Sequence, residues 1–180
     1  MLVLGGARAG KSRFALERAR HLAGGSGRPG RVAFVATAEA GDQEMAARIA
    51  RHRVERPPEW LTVEAPSDLA GALAALAGRA EVVVVDCLNL WVANLLGRDP
   101  DLTDESLGVA LAAVTLLLAR PRFATLVVSN EVGSGVHPET PVGRRFRDLL
   151  GVANQAVARV ADEVVLVVAG CPLWVKGAAA

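Results

Sequence analysis

The chain has 180 residues, of which 52% are hydrophobic and 22% charged, and its formal net charge at pH 7 is +1. This composition indicates a globular protein with a sizeable core, most simply a single domain covering residues 1–180. The near-neutral charge gives no general attraction to nucleic acid or to membrane surfaces.

Membrane insertion and secretion are also disfavoured by the sequence. The apolar run at residues 107–119 is too short to span a bilayer, and no run of 18 apolar residues occurs. Cys87 and Cys171 are too few for a disulfide framework. No signal peptide is recognised, because the chain enters its first predicted strand at once. We therefore expect a cytoplasmic protein without a membrane span.

The first half of the chain predicts strands that alternate with helices. Residues 24–30 are rich in glycine and predict a surface loop, and Pro57 and Pro58 predict the end of the second helix. The predicted elements are a strand at 1–4, a helix at 11–23, a strand at 32–36, a helix capped by Asp42 and reaching about Glu55, a strand at 61–63, a helix at 69–76, a strand at 82–85 and a helix or irregular segment at 88–96.

The second half continues the same alternation. Its predicted elements are a helix capped by Thr103 and reaching about Leu118, a strand at 126–128, a loop at 133–141, a helix at 142–160 and strands at 164–168 and 173–175. This order predicts an α/β fold with a mostly parallel sheet and helices on both faces. Ligands bind beyond the carboxyl ends of the strands in such sheets. We expect four polar ends to converge on one cleft: the loop after the first strand, Thr37 with Glu39, Asp86, and Ser129-Asn130-Glu131.

The loop after the first strand carries the most specific motif. Gly5-Gly6-Ala7-Arg8-Ala9-Gly10-Lys11-Ser12 reads G-x-x-x-x-G-K-S, the P-loop pattern. Its glycines let backbone N–H groups turn toward a polyphosphate, and the following helix adds its positive N-terminus. Lys11 would reach the terminal phosphates, and the Ser12 hydroxyl would hold Mg²⁺. The motif predicts a site for a nucleoside triphosphate.

Asp86 is a second candidate metal ligand. It follows four valines, residues 82–85, and an acid at the end of a buried strand is the second metal-binding signal of P-loop proteins. Many strands end in Asp, so this pattern alone is not specific. It indicates a metal ligand here because the chain also carries a P-loop.

His52 is the candidate nucleophile. On a helix, Met45, Ile49 and His52 fall on one stripe, which predicts that His52 faces inward or toward a cleft. Arg48 and Arg56 flank it at spacings of four, and nearby cations favour the neutral imidazole. A neutral imidazole nitrogen can attack phosphorus while arginines bind the phosphates. From these residues alone, a core-edge histidine on a basic helix remains an open alternative.

The segments together resemble one family, the bifunctional adenosylcobinamide kinase/adenosylcobinamide-phosphate guanylyltransferases of cobalamin assembly. The resemblance covers nearly the whole chain. It is carried by the P-loop, Ala36-Thr37-Ala38, the Glu-Met-Ala-Ala-Arg-Ile core within residues 42–56, Asp86-Cys87-Leu88, the loop Asn130-Glu131-Val132-Gly133, Phe146-Arg147-Asp148, Gly151, Asn154-Gln155 and residues 161–164.

The resemblance implies a recombinase-type P-loop fold, a homotrimer, and two reactions. ATP or GTP phosphorylates adenosylcobinamide; GTP then gives GMP to a histidine, here His52, which passes it to adenosylcobinamide phosphate to form adenosylcobinamide-GDP. Lys11 and His52 are the implied catalytic residues, and Ser12 and Asp86 are the candidate Mg²⁺ ligands. The implied nucleotide contacts are Gly5, Gly6, Ala7, Arg8, Ala9, Gly10, Lys11, Ser12, Ala36, Thr37, Ala38, Arg53, Val54, Glu55, Arg56, Glu64 and Asp86.

Other classes of P-loop protein fit less well. A simple small-molecule kinase without guanylyl transfer is the main alternative, but it would have no use for His52. Guanine-dependent switches usually carry an Asn-Lys-x-Asp motif, which is absent because Lys11 and Lys176 are the only lysines. A DNA-dependent motor would need stacking aromatics on a basic stripe, and aromatic residues make up only 4% of the chain.

Overall fold

The computed structural model describes residues 1–24, 31–54, 56–119 and 122–177, without the side chains of residues 44, 48, 51 and 52. Strands and helices alternate along the chain, except that two helices lie between β4 and β5 and that the last two elements are both strands. The strands are β1 (Leu2–Gly5), β2 (Val32–Ala36), β3 (Leu61–Glu64), β4 (Val82–Asp86), β5 (Ala124–Val128), β6 (Val164–Val168) and β7 (Cys171–Lys176). The helices are α1 (Lys11–Gly24), α2 (Gln43–Val54), α3 (Leu69–Ala75), α4 (Leu88–Arg98), α5 (Asp104–Ala119) and α6 (Pro141–Val160).

The described strands form one seven-stranded sheet in the order β3-β2-β4-β5-β1-β6-β7. All neighbouring pairs are parallel except β6 and β7, which are antiparallel. Ala36 pairs with both Glu64 and Asp86, and Asp86 pairs with Val128. The carboxyl ends of β3, β2, β4 and β5 are therefore level at one edge of the sheet.

Helices cover both faces of the sheet. Val83 and Val85 of β4 belong to a core formed with α3, α4, α5 and α6, whereas Val82 and Val84 pack on the opposite face with α1. Because successive side chains of a strand point to opposite faces, the four-valine run is buried on both sides. The α/β architecture expected from the sequence is confirmed.

Three details differ from the sequence-based expectations. The second helix ends at Val54, so Arg56 lies beyond it rather than on its surface one turn after His52. Arg56 precedes Pro57, and the residue before a proline is driven out of the helical region. The segment after Asp86 is a regular helix to Arg98, and the last strand is longer than predicted. Glu55 and most of the predicted loop at 24–30 lie outside the described residues.

Within the described part of the chain, none of the helices combines the length and apolar character needed to cross a membrane.

Candidate active site

The P-loop connects the end of β1 to the start of α1. Arg8 and Gly10 have φ angles of 56° and 98°, so the loop turns through the left-handed region as it reaches α1. The Ala9 N–H donates to the Gly6 carbonyl at 3.3 Å, which closes the turn. Lys11 is only 8% exposed, and its Nζ donates to the Gly6 carbonyl at 2.6 Å. Two hydrogen bonds to the Gly6 carbonyl, one from the Ala9 N–H and one from the Lys11 ammonium, therefore define the conformation of the loop.

Thr37 joins the ends of β2 and β4. Its side chain is fully buried, and its Oγ1 donates to the Cys87 carbonyl at 2.7 Å and accepts from the Cys87 N–H at 2.8 Å. The Thr37 N–H donates to the Asp86 carbonyl at 3.2 Å. Thr37 was expected to contact nucleotide; its hydroxyl already has protein partners that fix the backbone beside Asp86.

Helix α4 holds the segments that follow β2 and β3. Asn94 Nδ2 donates to the Thr37 carbonyl at 2.7 Å and to the Pro66 carbonyl at 2.9 Å. One turn later, Arg98 forms an ion pair with Glu39. Sequence reasoning did not single out Asn94, because a lone Asn in a helix carries no local signal of partners far away in the chain.

A basic cleft lies along β3, between this strand and the segment that follows α2. Its volume is about 430 Å³, and it is lined by Arg53, Arg56, Pro57, Pro58, Trp60, Thr62 and Glu64. Arg53 forms an ion pair with Glu64, the last residue of β3.

Arg56 packs its guanidinium 3.7 Å from the centre of the Phe34 ring. Burial lowers the pKa of Arg56 from its ordinary value, while the Asp86 carboxylate acts in the opposite direction. Its Nε is buried without a hydrogen-bond partner. An arginine held this way remains charged and suits an anionic ligand.

The three histidines differ in their positions. The backbone of His52 is in α2, directly before Arg53, and its side chain lies outside the described residues. His21 is exposed ten residues beyond Lys11 in α1, which corresponds to about 15 Å along the helix axis. His137 is exposed in the loop before α6, and its Nδ1 is 2.7 Å from Arg147 Nη1. The proposed stripe is only partly described: Met45 and Ile49 are half-buried.

The candidate metal ligands fit a hard cation. Ser12 is in the first turn of α1, which packs against β4, and Asp86 is the last residue of β4. A hydroxyl and a carboxylate are oxygen donors of the kind that Mg²⁺ prefers, and nucleotide phosphates usually supply further oxygens. Among the described residues no cluster of three or more His, Cys, Asp or Glu side chains could hold a metal ion, and a site of this kind does not need one.

The segment at residues 129–131, after β5, forms hydrogen bonds with α6 and with the end of β1. Ser129 Oγ donates to Asn154 Oδ1 at 2.7 Å, and Asn154 Nδ2 donates to the Asn130 carbonyl at 3.0 Å. The Glu131 N–H donates to the Gly5 carbonyl at 3.1 Å. The polar ends of β1, β2, β4 and β5 thus lie at one edge of the sheet, and their convergence on one cleft stays a prediction.

A mostly parallel α/β sheet whose first strand leads through a G-x-x-x-x-G-K-S loop into a helix defines a P-loop nucleotide-binding protein. A solved KaiC-like protein from Pyrococcus horikoshii shares this fold, with a TM-score of 0.52 and 15% identity over 92% of this chain and 68% of that one. The chain belongs to the cobinamide kinase / cobinamide phosphate guanyltransferase family, whose sequence model matches residues 1–175.

Similar curated proteins cover almost the full length of the chain. The bifunctional adenosylcobalamin biosynthesis protein CobP of Pseudomonas aeruginosa is 43% identical, over 98% of this chain and 96% of its own. The bifunctional adenosylcobalamin biosynthesis protein CobU of Escherichia coli is 38% identical, over 98% of this chain and 99% of its own. The expected family and its class of enzyme, a kinase and guanylyltransferase, are confirmed; the individual site residues stay predictions.

Proposed function

We propose that this chain phosphorylates adenosylcobinamide and then transfers GMP from GTP to adenosylcobinamide phosphate through a GMP adduct on His52. In the first half of the transfer, a neutral imidazole nitrogen of His52 attacks the α-phosphorus of GTP. The N–P bond forms as the bond to the bridging oxygen breaks, and pyrophosphate leaves. In the second half, a phosphate oxygen of adenosylcobinamide phosphate attacks the same phosphorus, the N–P bond breaks, and adenosylcobinamide-GDP is formed.

The course of α2 is the observation that carries the proposal. The residue after His52 is Arg53, and Arg53 pairs with Glu64 at the carboxyl end of β3. Glu64 is level with Ala36, which is level with Asp86. This course supports the proposal that His52 acts from the β3 side of the edge to which the P-loop also belongs, four strands away from β1.

The described residues have distinct tasks in this proposal. The P-loop amides and Lys11 bind the phosphates and stabilise the charge that develops during transfer. Ser12 and Asp86 would hold Mg²⁺, which neutralises phosphate charge when it is bound. Arg53 and Arg56 supply positive charge beside the α-phosphate, and Arg56 is kept in place by the Phe34 ring. The kinase step needs positioning and no protein nucleophile, so it does not require His52.

We also propose that the active enzyme is a homotrimer, as the family resemblance implies. The β6–β7 hairpin contains the outermost strand on one side of the sheet. Its side chains Val168, Leu173 and Val175 are 56%, 59% and 63% exposed. Apolar groups concentrated at a sheet edge are suited to a subunit contact. Light scattering coupled to gel filtration should give three times the monomer mass of 18.7 kDa, and a monomeric mass would contradict this part of the proposal.

The test of the adduct uses GTP labelled at the α-phosphate. Wild-type protein should acquire an acid-labile, base-stable label, and His52→Ala should acquire none while it still phosphorylates adenosylcobinamide. Adduct formation should also fall at low pH, because a protonated imidazole has no free lone pair.

His21→Ala and His137→Ala are the matched controls, and both should keep the label. Label on His52→Ala, or its loss from His137→Ala instead, would contradict the assignment of the nucleophile. A wild-type protein that phosphorylates adenosylcobinamide but never carries label would favour the simple kinase.

A further inference from the structure

The last hairpin of the chain touches the P-loop. β6 and β7 are joined by the two-residue turn Ala169–Gly170, whose φ angles of 51° and 82° are both positive. Positive φ angles at both positions are typical of the type I′ turn that closes tight antiparallel hairpins. Val167, two residues before the turn, pairs with Gly5. The turn consequently projects beyond the sheet edge directly beside the P-loop.

Two contacts join the turn to the loop. The Gly170 N–H donates to the Ala9 carbonyl at 2.9 Å. A Cβ at Gly10 would lie 3.3 Å from the Gly170 Cα, so a side chain at this position would crowd the turn. The sequence analysis assigned Ala9 and Gly10 to the nucleotide site but did not assign Gly170 to it.

The hydrogen bond sets the direction of one phosphate-binding group. The Ala9 carbonyl and the Gly10 N–H belong to the same planar trans peptide, and they point in opposite directions. With the carbonyl directed at the turn, the Gly10 N–H points away from the turn. Successive N–H groups with this kind of backbone conformation form an anion-binding concavity.

We infer that the Ala169–Gly170 turn is a positioning element for nucleotide binding, which acts through the Ala9–Gly10 peptide and does not itself touch the substrate. The inference rests on the proposed function only in assuming that the phosphates bind at residues 5–12. It assigns a role to a segment about 160 residues away from the P-loop in the sequence.

The test compares Gly170→Ala with Gly177→Ala. Gly177 ends the same hairpin with a φ of 79°, and its added Cβ would meet the Asp162 carbonyl at 3.0 Å. Both variants place a side chain at a positive φ, and the Cβ at Gly170 would meet only the end of the flexible Arg13 side chain at 3.1 Å. The register of β6 and β7 puts Gly177 at the end of the hairpin far from the P-loop. Affinities for magnesium pyrophosphate and magnesium GTP are measured by calorimetry, and stability by thermal unfolding without ligand.

Gly170→Ala should bind both ligands about tenfold more weakly, since the cost of a non-glycine residue at positive φ is relieved by moving the turn away from the loop. Gly177→Ala should bind both within about twofold of wild type, although it loses at least as much thermal stability, because its Cβ meets backbone atoms. Gly170→Asn should recover most of the binding, because Asn tolerates positive φ although its Cβ meets Arg13 Nη2 at the same 3.1 Å as that of Ala.

A measurement on the wild type covers the case in which Gly170→Ala does not fold. Pyrophosphate should slow hydrogen exchange of the Gly170 N–H and leave that of Gly177 unchanged, because coupling between two binding equilibria is reciprocal. Unaltered exchange at Gly170, equal weakening by both Ala variants, or weaker binding of GTP with unchanged binding of pyrophosphate would each overturn the inference. Wild-type protein that binds neither ligand would contradict the proposed function itself.

Discussion

The bond between Thr37 and Cys87 gives a direct test of how the two central strand ends are joined. Thr37→Val keeps the shape of the side chain and removes the hydroxyl. Thr37 is 0% exposed and Cys87 8% exposed, so water cannot readily replace the lost partner. The Cys87 N–H would lose its hydrogen bond to the hydroxyl, whereas the Cys87 carbonyl still accepts from the Trp91 N–H at 3.2 Å. Removing one partner of a buried hydrogen bond costs about 1–3 kcal/mol. We expect the free energy of unfolding to fall by about 1–3 kcal/mol.

Urea unfolding at equilibrium measures this loss, and two variants serve as controls. Thr37→Ser keeps the hydroxyl and should lose only about 1 kcal/mol, for one buried methyl group. Thr115→Val removes a hydroxyl that donates to the Leu111 carbonyl at 2.8 Å within a helix. Its effect should stay within about 0.5 kcal/mol, because the helix retains its own backbone bonds.

The reasoning would be refuted if Thr37→Val lost less than about 1 kcal/mol, or no more than Thr115→Val. A lower midpoint with an unchanged denaturant slope would show that stability changed and that the unfolded state did not.

Two further changes test the phosphate and metal ligands. Lys11→Ala should reduce nucleotide-dependent turnover at least about 100-fold, since it removes a charge from the transition state, while circular dichroism stays native-like; near-normal turnover would contradict the assignment of the P-loop. Asp86→Asn should raise the Mg²⁺ concentration needed for half-maximal rate in both reactions, because one negative charge leaves the metal shell. An unchanged Mg²⁺ titration with an intact fold would argue against Asp86 as a ligand.

The sequence predicts the central sheet well because each buried strand carries its own signal. The apolar runs at residues 32–36 and 164–168 coincide with β2 and β6. β2 is buried along its whole length and β6 over most of it, and a continuous apolar run is what burial on both faces requires. The P-loop is equally local, because eight consecutive residues contain its glycines, its lysine and its hydroxyl.

Other features depend on groups that are distant in the sequence. Asn94 binds the Thr37 carbonyl across 57 positions, and neither residue carries a local sign of the other. The contact of Gly170 with the P-loop is of the same kind. The position of Arg56 was predictable, however, since the proline after it disfavours a helix at that point. The direction of β7 was predictable too, because two residues cannot form the crossover that a parallel pair needs.

The place of β1 in the sheet has a consequence for synthesis on the ribosome. β1 is translated before every other strand, but it lies between β5 and β6. Its hydrogen-bonding edges stay open until residues 124–128 and 164–167 have emerged. Contacts over such separations form slowly and leave apolar strands exposed in the meantime. The P-loop is thus made before β5 and β6 and acquires its final surroundings only after them, so nucleotide stabilises the nearly complete chain rather than the early steps of folding.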